Sequence, residues 1–555
     1  MVARKKTAAR KAGARRPVAK VPAGKKAAAK SASTAAKSAR PRRSAKVQAP
    51  RISRASPGTG PVTAARELII IPAAAAEAVA APAVANAMAP AVAVAVAASR
   101  GAEAIKRILR RVGGSARPLF STGLLQPSPL PAAPAMAAAV AASAPPAALG
   151  SYQAVDAPDE ALDDIAADLL ARNLVAAAYV KPAVEPPLAP PTGRGRQRRA
   201  AAAAVATPAA MLASATGDFS PMQGYLNSAP GGVDARFAWT QPGGKGEQIN
   251  VIDIEGAWRF DHEDLGQNQG GVVGGTPFDD LDWRNHGTAV ISEIGADENG
   301  IGVIGIAPAS QVSAVSHNGP GTAGAILKAA RKLGPGDLLL LEMHRPGPRH
   351  NFQERRDQLG YIAIEWWSDD FDAIQVAVRR GVVVIEAAGN GAENLDDALY
   401  NRRPAGFPGS WRNPFDRANR DSGAVVVGAG APPSGAFGPD RSRLDFSNFG
   451  ALVDAQGWGR QVVACGYGFL QGGNDENLWY THDFSGTSSA SPIVTGALAC
   501  VQGVRRAMGR TLLTPAQSRT LLRTTGSPQQ AGPNGPATQR IGNRPDIRNM
   551  VQQMP

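Results

Sequence analysis

Cysteine is nearly absent from this 555-residue chain; Cys465 and Cys500 are the only two. Two thiols exclude a disulfide framework, and a chain this long does not need one to hold a core. They allow one bridge or two buried thiols. Acidic residues are missing from the first 66 positions: Met1 to Arg66 carry 19 Lys plus Arg, and the first acid is Glu67. The remainder holds 41 basic and 45 acidic residues, so the net charge of +15 and the pI near 10.1 belong to the N-terminal arm. Such an arm bears on partners and solubility, not on the fold behind it. Leu, Ile and Phe are scarce in the one long uncharged stretch, Ala78 to Ser99, which is mostly Ala and carries Pro82, Asn86 and Pro90. That composition excludes a transmembrane helix. The basic N-terminus is not followed by the short apolar core of a secretory signal, which leaves the compartment open.

What is present divides into blocks. Residues 1–65 are a low-complexity Ala/Lys/Arg/Pro arm that buries too little apolar surface to offset chain entropy, so disorder is expected. The arm reads either as a contact for nucleic acid or another anionic surface, with salt-dependent binding, or as a solubilising or targeting tail. Residues 66–190 are Ala/Pro-rich. Within them Glu67–Ile71 reads as a strand and Ala104–Val112 as a short basic amphipathic helix. Residues 150–182 read as a strand–helix–strand unit: Tyr152–Val155, then Asp159–Leu170 with Leu162, Ile165, Leu169 and Leu170 at helical spacing, then Val175–Val180. Asp156 or Asp159 suits its helix cap. Residues 191–216 are a linker whose Arg194, Arg196, Arg198 and Arg199 suit a processing site as well as an ordinary charged connection.

Residues 217–545 have the pattern of a compact α/β domain, with 546–555 left as a tail. Strands are expected at Gln248–Ile252, Gln311–Val315, Asp337–Glu342, Val382–Ala387, Ala424–Val427 and Val462–Ala464, and helices at Gly321–Leu333, Asp369–Arg380 and Ser489–Met508. Near-continuous aliphatic runs such as LLLLE and VVVIEAA suit parallel strands buried on both faces. Alternation of this kind predicts a doubly wound, mostly parallel sheet flanked by helices, with a site at the carboxyl ends of its strands.

Four segments carry chemistry. INVIDIEGAW is an apolar strand ending in Asp253. NHGTAVISEIGA sets His286 at a helix start. VVVIEAAGNG delivers Asn390 from a buried strand, and FSGTSSASP places Ser488 at the start of a long helix. A serine hydroxyl needs a base to remove its proton. Histidine titrates near working pH. A carboxylate fixes the imidazole tautomer. An amide and a backbone N–H at a helix start can receive an oxyanion. Taken singly, Asp253 suits a turn, Asn390 a left-handed loop position and Ser488 a helix cap. His262, in DHEDL, is a rival base.

The order Asp, His286-Gly287-Thr288, Gly389-Asn390, Gly486-Thr487-Ser488-Ser489-Ala490-Ser491-Pro492 resembles the subtilase family of serine peptidases. Asn299–Pro308 and Asp445–Gly450 are similar to further family segments, and the resemblance spans residues 220 to 530. The unit ending in AAAYVKP resembles the end of a subtilase propeptide. The resemblance implies a subtilisin-like fold, an Asp253–His286–Ser488 triad and Asn390 in the oxyanion hole. It also implies peptide or protein substrates, an upstream segment acting as an intramolecular inhibitor, and no required cofactor. Structural calcium stays open, with Asn474–Asn477 and Glu393–Asp397 as oxygen-rich segments, but no metal site is assigned. Two departures stand out. Ile254-Glu255-Gly256 follows Asp253 where the family has Ser/Thr-Gly. Glu342 and Glu386 stand where small residues are usual, either as specificity-pocket carboxylates favouring a basic or polar side chain or as a hydrogen-bonded structural pair. The competing function is an idle subtilase scaffold whose basic arm binds a polyanion.

Overall fold

The computed structural model describes residues 65–73, 88–120, 149–187 and 216–555. The expectations for residues 1–64, for the Arg194–Arg199 cluster and for the Ala/Pro stretch after Phe120 lie outside the described residues. Among the described residues no helix is long and apolar enough to cross a membrane.

The N-terminal elements are β1 (Glu67–Pro72), α1 (Met88–Arg110), β2 (Ser115–Pro118), β3 (Gln153–Asp156), α2 (Leu162–Ala171) and β4 (Val175–Lys181). They form one four-stranded antiparallel sheet in the order β2-β3-β1-β4. The unit therefore begins at residue 67, not at about 150. The strand nearest the N-terminus lies inside the sheet, paired with β3 and β4. Alternation in β1 explains its unbroken apolar run. Leu68 and Ile70 pack with Ile105, Leu109, Ile165 and Leu169 of the two helices. Ile69 and Ile71 turn the other way, into a cluster shared with residues of the following domain. Neither Asp156 nor Asp159 caps α2; Ala161 precedes it without a side-chain cap, and Asp159 instead binds Arg66 at 3.0 Å.

The C-terminal domain contains β5 (Asn250–Glu255), β6 (Gln269–Gly274), α3 (Leu281–Gly295), β7 (Gln311–Ser316), α4 (Thr322–Ala330), β8 (Leu338–Leu341), β9 (His344–Pro346), β10 (Tyr361–Ala363), α5 (Ser368–Arg379), β11 (Val383–Ala387), β12 (Val425–Gly430), β13 (Ala455–Trp458), β14 (Val462–Cys465), β15 (Tyr480–Phe484), α6 (Thr487–Ala507), α7 (Pro515–Thr525) and α8 (Ile547–Gln553). Seven strands form one parallel sheet in the order β13-β12-β11-β8-β5-β7-β6. This is the doubly wound α/β architecture expected. The expected strand at Val462 belongs instead to a separate antiparallel pair with β15. The supposed tail after residue 545 folds as α8, with Ile547 and Met550 buried in the main core. Cys465 and Cys500 are both buried and unbridged.

Candidate active site

On β5, Val251 joins the core cluster on one face of the sheet, whereas Ile252 and Ile254 join the cluster on the other. The two-residue period of a strand puts Asp253 and Glu255 on the same side as Val251, the side covered by the packed helices α3 and α6. Glu255 is the last residue of the strand and reaches two residues further toward the carboxyl end of the sheet.

His286 does not open its helix. Asp280 caps α3, accepting from the Trp283 N–H at 2.9 Å, and His286 lies more than a turn further on. Its Nδ1 meets Glu255 Oε2 at 2.7 Å. Asp253, expected to hold the imidazole, does not make that contact. Its Oδ2 accepts from Trp258 Nε1 at 2.7 Å, while its Oδ1 is buried without a partner. The physical reason is reach: the imidazole sits over the strand's end, and the longer glutamate side chain one pleat beyond Asp253 arrives first. The departure Ile254-Glu255-Gly256 was the available signal. Position 287 must be glycine for this approach, since a Cβ there would lie 2.3 Å from the Ala257 carbonyl oxygen and 2.6 Å from the Trp258 ring.

Burial raises both carboxyl groups well above the ordinary carboxylate range, and Glu255's negative charge adds to the effect on Asp253. Burial also lowers His286 to about 3 against the opposing pull of Asp253. Glu255 Oε1 is buried and unpartnered like Asp253 Oδ1, and the two side chains interact.

Ser488 follows Gly486 and Thr487 at the start of α6. Its Oγ donates to the Pro187 carbonyl at 2.6 Å, and His286 Nε2 has no hydrogen-bond partner. Asn390, three residues past β11, accepts from the Thr487 N–H at 2.9 Å, and its Nδ2 is buried without a partner. Gly486 has φ +117°, and a Cβ there would fall 2.2 Å from the Pro187 oxygen and 3.1 Å from Asn390 Nδ2. The carbonyl of Pro187 thus sits among Ser488, Gly486 and Asn390.

Pro187 is the last described residue of the stretch that leaves β4. Two residues earlier, Glu185 pairs with His344 antiparallel: Glu185 N–H to His344 O at 3.1 Å, and His344 N–H to Glu185 O at 3.2 Å. The sheet of the N-terminal unit sits on α4 and α5. Tyr179 donates to Asp369 (3.0 Å), Tyr152 to Asp372 (2.9 Å) and Lys181 to Asp370 and Thr322 (both 3.0 Å), while Glu67 binds Arg345 at 2.6 Å. Glu67 is pushed up by burial, but Lys181 and Arg345 outweigh that and hold it at about 2.

Glu342 accepts from Ser491 Oγ, and Glu386 accepts from the Glu365 N–H at 3.0 Å. They are not a pair, and neither hydrogen-bonds to residues 182–187. His262 binds the Trp479 carbonyl at 2.9 Å through Nε2, and its Nδ1 accepts from the Asp264 N–H, so both ring nitrogens are occupied structurally. Glu393 and Asp397 bind Arg349, and Glu476 binds Arg259 and Arg284. Among the described residues no three His, Cys, Asp or Glu side chains gather as a metal site.

The Subtilase family pattern matches residues 249–543. An intracellular serine protease of Paenibacillus polymyxa is 27% identical over 55% of this chain and 84% of its own length. Subtilisin DY of Bacillus licheniformis is 27% identical over 47% of this chain and 78% of its own. The major intracellular serine protease of Bacillus subtilis (strain 168) is 25% identical over 50% and 76%.

Proposed function

Because the chain belongs to the subtilase family and is a serine-type endopeptidase, we propose that it cleaves peptide bonds with a Glu255–His286–Ser488 triad and that residues 65–187 are its own inhibitory pro-segment, cut after Pro187. The single observation that carries this reading is the Pro187 carbonyl, 2.6 Å from Ser488 Oγ and beside the unpartnered amide of Asn390.

The chemistry follows from the contacts. Glu255 accepts from Nδ1–H, which leaves Nε2 as the basic nitrogen. His286 Nε2 takes the Ser488 proton as Oγ bonds to the carbonyl carbon; the carbonyl π electrons move to oxygen. Asn390 Nδ2 and the Ser488 N–H, at the start of α6, receive that charge. The imidazolium then protonates the leaving nitrogen as the C–N bond breaks, and water repeats the sequence on the acyl-enzyme. Asp253 acts behind Glu255: one proton held between the two unpartnered oxygens satisfies both and leaves a single negative charge facing His286. In the covered state the Ser488 hydroxyl faces the carbonyl oxygen, with His286 Nε2 left over. The side chains of Ser488, His286 and Asn390 are all buried, so outside peptides are shut out.

Expression of wild type and Ser488→Ala side by side tests the reading. The wild type should yield a chain starting at Leu188 that a fluorophosphonate labels on Ser488. Ser488→Ala should stay uncut and unlabelled. An uncut wild type, or one whose isolated C-terminal domain takes no label, overturns it. The 19 positive charges and absent acids of residues 1–66 support a separable role in contacting nucleic acid or another polyanion; a mobility shift that persists without residues 1–65, or that ignores salt, would remove it.

A further inference from the structure

The cleft carries a built receptor for one side chain of the docked segment. The loop between β9 and β10, residues 347–360, folds back over the chain leaving β4. Glu185 lies under it, and each carboxylate oxygen meets a donor: Tyr361 Oη at 2.6 Å from Oε1 and Gln358 Nε2 at 3.1 Å from Oε2. Gln358 Nε2 also reaches the Pro186 carbonyl at 3.0 Å.

Tyr361 is held by neighbours outside the docked segment. Tyr361 Oη accepts from the Arg355 N–H at 2.8 Å, which leaves its own proton to be given away. The Tyr361 ring lies on the His344 ring, centroids 4.7 Å apart. The Tyr361 carbonyl is held by Asn448 Nδ2 at 2.8 Å, and the Gly360 N–H binds the Gly391 carbonyl at 2.9 Å, one residue past Asn390. The hairpin is thus fastened to the loop that carries the oxyanion amide. Among the described residues no Lys or Arg pairs with Glu185. Burial raises this carboxyl above its ordinary range, and the two donors offset part of that cost.

We propose that Tyr361 and Gln358 form an acid-reading subsite, and that the protease selects peptides with glutamate three residues before the cleaved bond. The inference rests on the proposed placement of Pro187 at that bond. It replaces the expectation of a basic or polar preference set by Glu342 and Glu386. The selection against glutamine has a simple cause: its NH2 would face one of two donors, and turning the Gln358 amide to offer its unpartnered Oε1 instead would give up the bond to the Pro186 carbonyl. Lysine would meet donors on both sides. Alanine would leave both donors empty.

The test uses mature enzyme with active sites counted by fluorophosphonate labelling of Ser488. Four quenched-fluorescence peptides share the chain's own sequence, Ala-Val-X-Pro-Pro-Leu-Ala, with X as Glu, Gln, Ala or Lys. The kcat/KM for Glu should exceed that for Gln by about tenfold, or about 1.4 kcal/mol, and exceed that for Lys by more. Tyr361→Phe should shrink the Glu-to-Gln ratio to about threefold or less. Gln358→Asn, which keeps a residue tolerant of the positive φ of 54° found there but withdraws the amide, should do the same. Each ratio is taken within one enzyme, so a variant that folds poorly does not mimic the effect. Equal turnover of Glu and Gln peptides by wild type of which a separate aliquot labels on Ser488, or no cleavage of either, overturns the subsite while leaving the proposed triad standing. Failure of Ser488 to label overturns both.

Discussion

Replacement of the two carboxylates on β5, one at a time, separates their roles. Glu255→Gln keeps the shape of the side chain 2.7 Å from His286 Nδ1 but removes the charge that fixes the tautomer and steadies the imidazolium. In serine peptidases that build the same constellation on another fold, the equivalent acid-to-amide change costs about 10⁴ in kcat. At 1.36 kcal/mol per decade that is about 5 kcal/mol of transition-state stabilisation. Asp253→Asn is a different perturbation. The new amide oxygen still accepts from Trp258 Nε1, and its NH2 can donate to Glu255 Oε1, the buried oxygen that now lacks a partner. The loss should be that of one altered hydrogen bond, about 1 kcal/mol or about fivefold. The assay is kcat/KM on peptide, with each precursor matured by resin-bound wild-type enzyme that is then filtered away, and with thermal melts to confirm folding. Equal losses, or a larger loss for Asp253→Asn than for Glu255→Gln, would refute the assignment of Glu255 and restore Asp253 as the acid.

Two further outcomes follow from the same contacts. Asn390→Ala should lower kcat by about 10²–10³ with little change in KM, because its Nδ2 is unpartnered until charge develops on the carbonyl oxygen; the range is drawn from subtilisin itself and is not worked from this structure. Pro-segment docking should weaken as pH falls from about 4.5 toward 2, since Glu67 sits at about 2 when docked and its contribution is fully present only above its ordinary pKa of 4.5. The comparison that isolates this group is Glu67→Gln, whose dissociation constant, measured with the Ser488→Ala catalytic domain, should lack that part of the acid dependence.

The parallel sheet was legible because buried parallel strands are apolar throughout: Leu338–Leu341 and Val383–Ala387 lie within a residue or so of the runs expected. β6 and β13 were not, because QGGVVG and AQGW are rich in Gly and Gln and hold their places by pairing with neighbours rather than by their own composition. His286, Asn390 and Ser488 were legible because motif spacing follows loop length at strand ends. The sequence pointed to Asp253 beside His286, whereas the contact is made by Glu255 one pleat on, because a motif lines up residues whereas contact depends on how far a side chain reaches. The subsite of Tyr361 and Gln358 had no signal at all. Its donors lie three residues apart, Gln358 in a loop and Tyr361 at the start of β10, and their target is more than 170 residues upstream.

The two-faced strand β1 bears on how the proposed pro-segment would come away if cut. Its Leu68/Ile70 face closes a small core of its own, but Ile69, Ile71, Tyr152, Tyr179 and Val184 are buried in a cluster built mainly by the catalytic domain. Burying such a side chain is worth about 1.5–3 kcal/mol. Five of them exposed together forfeit about 10 kcal/mol, comparable with the whole stability of an ordinary domain, about 5–15 kcal/mol. The buried ion cluster of Lys181, Asp369, Asp370, Glu67 and Arg345 does not offset this, because its charges return to water on separation and such clusters repay little beyond their desolvation. The isolated segment, residues 65–187, should therefore be largely unfolded by circular dichroism and gain strand and helix signal when mixed with the Ser488→Ala domain starting at Leu188. A cooperative thermal transition of the segment alone, unchanged by adding that domain, would show that the inner face is not what holds it together.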